Sequence, residues 1–151
     1  MRRPLPAPLD PRELGRSCDE PPPLLLGRGI EEFNAGAYYA CHETLEELWR
    51  AEGRPIRRLY QGILLVGVSL YKVYEQANYV GAVSLLDRGL AHLEGFPTTC
   101  QGVDVDLLRR QSRVLRAELL RLGPTHVSQL ARSFVPIIAT VETARCSEAH
   151  P

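Results

Sequence analysis

From Leu24 onward, apolar and polar residues alternate with the three-to-four-residue period of helices buried along one side. The segment Leu24 to Ala35 carries this period, and Asn34-Ala35-Gly36 supplies a turn after it. A second helix is predicted over Tyr38 to Ala51, where Tyr38, Cys41, Leu45, Leu48 and Trp49 share one apolar stripe. His42 falls inside that stripe beside Trp49, and Glu46 sits at its border. Glu43, Glu47 and Arg50 point to solvent.

Gly53 and Pro55 end that helix and begin a third, predicted over Pro55 to Gln76. Its middle, LYQGILLVGVSLY, is apolar on nearly every side, as expected of the central, buried element of a bundle. Gln61 and Lys72 are polar exceptions on one side of the wheel, while Gly62, Val66 and Ser69 form a small-residue face that invites a close neighbour. Asn78 is placed to cap a fourth helix, in which Val83, Leu86, Leu90 and Leu93 keep helical spacing up to Gly95-Phe96-Pro97. After a loop over 98–102, Asp104 or Asp106 opens a fifth, which runs to Gly123-Pro124.

Thr125 to Ser133 is read as a short helix, and Val135-Pro136-Ile137-Ile138 as an apolar segment docked on the bundle. Residues 1–23 hold seven of the twelve prolines and no apolar period, so they read as an extended or loosely docked arm. The expected architecture is all-α: a bundle of about five to six helices around a buried central helix. Its parts are an arm (1–23), the bundle (24–123) and a docked segment with a tail (124–151).

Length and charge narrow the classes. A chain of 151 residues can bury one sizeable core without metal or disulfide staples. Acidic and basic residues balance at 18 each, so there is no basic excess of the kind a dedicated nucleic-acid binder shows. The longest apolar run, Ile63 to Leu70, falls far short of the roughly 18 residues a membrane span needs. Cys18, Cys41, Cys100 and Cys146 are scattered singly, without CxxC spacing or the density of a secreted disulfide scaffold, and a reducing cytoplasm fits them best.

His42 and Glu46 stand four residues apart, so their side chains are neighbours on one helix face. Such a pair can ligate a divalent metal, or the carboxylate can orient the ring for proton transfer. The bland alternative is a polar pair that fixes how the helix packs. The comparison with the H-E-x-x-H zinc helix fails as written, because Glu46 stands where the second histidine belongs. A catalytic zinc also wants three protein ligands, and the candidates for a third are Gln61, Glu43 or a group from another subunit. His92, His126 and His150 are isolated in the sequence.

Trp49, one turn beyond Glu46, is either core packing or the wall of a pocket over the pair. Tyr38 and Tyr39 can bring a phenol to the same groove. Cys41 adjoins His42 but points about 100° away on the wheel, which argues against a Cys-His nucleophilic pair. Neither a Gly-rich phosphate loop nor a G-x-S-x-G elbow occurs.

The run from Phe33-Asn34-Ala35-Gly36 through His42, Glu46 and Trp49 resembles domain-of-unknown-function family 309, bacterial and archaeal proteins with the hallmark H-x-x-x-E-x-x-W/Y. The similarity continues through Tyr60-Gln61-Gly62-Ile63 and through Asn78 to Leu90, covering about residues 28–96. The resemblance implies an all-helical bundle and a divalent-metal site at His42 and Glu46, of the kind labelled a predicted metal-dependent hydrolase. It implies no particular substrate.

Two function classes follow. The first is a metal-binding helical protein, a candidate metal-dependent hydrolase, with His42 and Glu46 as ligands and Trp49, Gln61, Glu43 and Tyr38 around them. The second is a non-catalytic protein-interaction module in which the pair is structural. A homodimer through the small-residue face of the central helix is compatible with both.

Overall fold

The computed structural model describes residues 9–141. Its least polar segment lies deepest. Helix α4 (Arg57–Gln76) buries Leu59, Tyr60, Ile63, Leu65, Val66, Leu70 and Val73 and packs between α3 (Tyr38–Ala51) and α5 (Tyr79–Leu93). Helix α2 (Leu24–Asn34) lies against α3, and α6 (Val105–His126) against α5. The all-α expectation holds, with α4 as the central element. Among the described residues no helix is long and apolar enough to cross a membrane.

The predicted ends of these helices are where the structure puts them, for the reasons the residues suggest. Asn78 Oδ1 accepts from Gly81 N at 2.9 Å at the start of α5, and Asp104 Oδ1 accepts from Leu107 N at 2.9 Å at the start of α6. Gly123 breaks the helical path of α6 with φ 67° and ψ −176°. Beyond it the expected short helix is replaced by two 3₁₀ turns, Val127–Gln129 and Arg132–Phe134. The side-chain amide of Asn34 then brackets Ile138, donating to its carbonyl at 3.0 Å and accepting from its N–H at 2.8 Å. Ile138 is buried.

The small-residue face of α4 is used inside the chain. Gly62, Val66 and Ser69 are buried, and a Cβ on Gly89 of α5 would sit only 3.1 Å from the Gly62 carbonyl oxygen. Close approach of α4 and α5 consumes the surface expected to join two copies, so that face is closed to a second chain.

Two further features depart from expectation. Residues 11–18 of the supposed extended arm form a helix, α1 (Pro11–Cys18), capped by Asp10, whose Oδ1 accepts from Arg12 N at 3.0 Å. Its Leu14, Ser17 and Cys18 are buried. Two turns are too short for an apolar period to stand out, and such a helix depends on tertiary contacts.

The loop after α5 is in fact a hairpin. Its strands are β1 (Thr99–Cys100) and β2 (Val103–Asp104), and Gln101 and Gly102 between them have φ 47° and 80°. Cys18 and Cys100, expected as separate thiols, are joined as a disulfide that ties α1 to this hairpin. The case for a reducing compartment rested on unpaired cysteines and loses its premise. Cys41 remains a free, buried thiol, and Cys146 lies outside the described residues.

Candidate functional site

Helix α3 begins without a side-chain cap and ends with Arg50 in its last turn, where a cation complements the helix dipole. One side of it, Cys41, Thr44, Leu45 and Leu48, is buried against α2 and α4. Along the border of that side the polar residues make a ladder. His42 Nε2 lies 3.1 Å from Glu46 Oε2, and Glu46 Oε1 accepts from Arg50 Nη2 at 2.5 Å. The His42 and Glu46 side chains keep 35% and 30% of their surface, so this is a half-exposed pair rather than a core one.

The other residues singled out in the sequence scatter around this ladder. Trp49 is partly buried, and the guanidinium carbon of Arg57, from the start of α4, sits 4.2 Å above its ring. The indole thus links the end of α3 to the beginning of α4. Glu43 faces solvent with Glu46, Glu47 and Arg50 around an open, shallow recess. Gln61 is half-buried on α4 and shares no lining with His42. Among the described residues no group of three or more His, Cys, Asp or Glu side chains is arranged to hold a metal ion.

Tyr38, in contrast, is brought to His42. The two line a pocket of about 130 Å³ between α3 and α4, together with Tyr39, Val68, Tyr71 and Lys72. Tyr39 lies tilted between two rings, its centroid 6.1 Å from His42 and 6.0 Å from Tyr71. Burial holds the Tyr38 phenol above its ordinary pKa, with Arg132 opposing, so it stays a neutral hydroxyl. Val68 and Tyr71 were not singled out in the sequence, and Lys72 stood out only as a polar exception. Their spacing of three and four residues puts them on one face of α4, but which face meets α3 is a matter of packing.

Two other groups drop out as chemistry. Burial, reinforced by the Glu32 carboxylate, pushes the Cys41 thiol up to about 12, so it carries no thiolate for attack. His92 is held neutral by burial and by the charges of Arg58 and Arg88, and its buried Nδ1 has no hydrogen-bond partner among the described residues.

The ladder also tests the metal implied by the sequence motif. A hydrolytic zinc is held by three protein ligands and one water. Here His42 and Glu46 face each other directly, and the remaining oxygen of Glu46 already receives Arg50. Two donors, one of them neutralised by a guanidinium, do not fit that centre.

Comparison with known proteins agrees with the family resemblance. Residues 26–85 match the family model described as Domain of unknown function (DUF309), and the matched stretch contains α3 and α4 with the whole pocket between them. A relative from Aquifex aeolicus (strain VF5), described as "Uncharacterized protein", is 23% identical over 86 residues. That alignment covers 56% of this chain and 26% of the relative, so the chain spans about a quarter of the length of the protein it matches.

Proposed function

We propose that this chain is a non-catalytic helical binding module whose ligand site is the pocket between α3 and α4, with the His42–Glu46–Arg50 ladder setting the position of the imidazole at its wall. One observation carries the reading. Glu46 is spent on His42 and Arg50, whereas the His42 ring lines a recess with three tyrosines. A carboxylate engaged from both sides orients a ring better than it coordinates an ion.

The metal-dependent hydrolase implied by the sequence motif is the second reading, and what favours it is the four-residue spacing of His42 and Glu46 at a half-exposed edge. A thermal-unfolding series with EDTA and with zinc, manganese, nickel and ferrous ions separates the two. A ligand that binds only the folded state raises Tm with its concentration. The binding-module reading expects that neither chelator nor any ion moves the Tm of the native chain, or that of His42→Ala. A rise with one ion that EDTA reverses and His42→Ala abolishes would overturn it.

A further inference from the structure

We infer that the pocket between α3 and α4 takes a small single-ring carboxylate, held by Lys72 at one end and by the tyrosine rings around its body. This rests on the binding-module reading and adds the class of ligand.

Charge is the first ground. Lys72 is the only lysine in the chain, and it stands on the pocket wall. Its ammonium donates to the neutral amide oxygen Gln76 Oε1 at 2.9 Å. Arg50, Arg54, Arg110, Arg113, Arg116 and Arg121, in contrast, each meet a carboxylate. The carboxylate nearest to His42, Glu46, is turned to His42 and Arg50. The pocket wall therefore includes a lysine whose charge no carboxylate answers among the described ion pairs, and an anion that draws the ammonium from Gln76 is its complement.

Size and lining are the second. At about 130 Å³ the pocket is well below the roughly 300 Å³ at which drug-sized ligand sites begin. It is close to the roughly 150 Å³ apolar cavity that accepts benzene in another protein. Tyr38, Tyr39, Tyr71 and Val68 line it with aromatic rings and a branched aliphatic group, which suit a flat apolar body. Tyr39 keeps 59% of its surface exposed at the mouth, a large aromatic left uncovered beside a recess. A nucleotide or a peptide helix is too large for this space, and a bare inorganic anion would leave the rings unused.

Benzoate titrated into the full chain, followed by calorimetry and by the shifts of the tyrosine ring protons, tests the inference, with benzamide as the neutral isostere and acetate as the ringless anion. Benzoate should bind at least about tenfold more tightly than either, the scale of one charge-assisted hydrogen bond. Lys72→Met should erase the preference over benzamide, and Lys72→Arg should retain it. Tyr71→Ala should weaken benzoate and benzamide alike, with circular dichroism reporting that each variant keeps its helices. Equal affinity for benzoate and benzamide, equal affinity for benzoate and acetate, indifference to Lys72→Met, or no saturable binding would each overturn it. The chelator and ion series is independent of benzoate, so failure here leaves the non-metal reading of the His42–Glu46 pair standing.

Discussion

At the edge of α3, His42 and Glu46 meet at 3.1 Å with about a third of each side chain in water. At the opposite kind of junction, where α1 meets the hairpin, the polar groups are sealed. Tyr60 is fully buried on α4 and donates its hydroxyl to Gln101 Oε1 at 2.8 Å, while Gln101 Nε2 donates to the Ser17 carbonyl at 3.2 Å. The Gln101 backbone N–H donates to the Cys18 carbonyl at 2.8 Å, beside the Cys18–Cys100 bond. Burial pushes the Tyr60 hydroxyl up to about 12, so it remains a donor.

The difference is one of solvent. A polar pair in contact with water gains little from its partner, because water would serve nearly as well. A buried network has no such substitute, and each group it loses leaves another unsatisfied. The conspicuous His42–Glu46 pair of this sequence therefore lies where energies are small, and Tyr60, Gln101 and Ser17 hold the fold at its other junction.

Breaking the disulfide should give the largest effect. The bond closes a loop with 82 residues of sequence separation, and constraint of the unfolded chain on that scale is worth about 4 kcal/mol. For a chain of this length that is roughly 8–16 °C in Tm. The double variant Cys18→Ser with Cys100→Ser, or reduction of the native chain, should show it by calorimetry. An unchanged Tm would mean that α1 is held by its hydrogen bonds alone.

Tyr60→Phe comes next. It strands Gln101 Oε1 in a buried site, and denaturant unfolding should report a loss of about 1–3 kcal/mol. A loss no larger than that of a surface substitution would erase the contrast between the two junctions.

The smallest effect belongs to the motif itself. His42→Ala should change stability by no more than about 1 kcal/mol, since the contact it removes is half-exposed and Glu46 keeps Arg50. A larger loss in the same unfolding measurement would place His42 among the residues that hold the bundle.

How much of this was legible in the chain varies by element. α3 was, down to its ends, because the apolar stripe of Cys41, Leu45 and Leu48 has the helical period and Gly53 and Pro55 punctuate it. The candidate site was legible only in part. His42 and Tyr38 were visible as occupants of one edge, but Val68, Tyr71 and Lys72 belong to a different helix, and nothing in their own spacing says that they face α3. α1 was missed because eight residues opening on a proline carry too little period to distinguish a helix from an arm.

The sequence by itself determined what depends on neighbours within a turn or two: the helices from α2 to α6, the cap at Asn78, a cap at Asp104 or Asp106, the break at Gly123, and α4 as the element too apolar to be anywhere but inside. Only tertiary structure decided what depends on residues far apart in the chain. It joined Cys18 to Cys100, turned the small-residue face of α4 toward Gly89 instead of a second copy, and set His42 opposite Lys72. The physical reason is range. Helical period and capping are fixed by backbone geometry over a few residues, whereas the pairing of faces is fixed by which surfaces exclude water and fill space together.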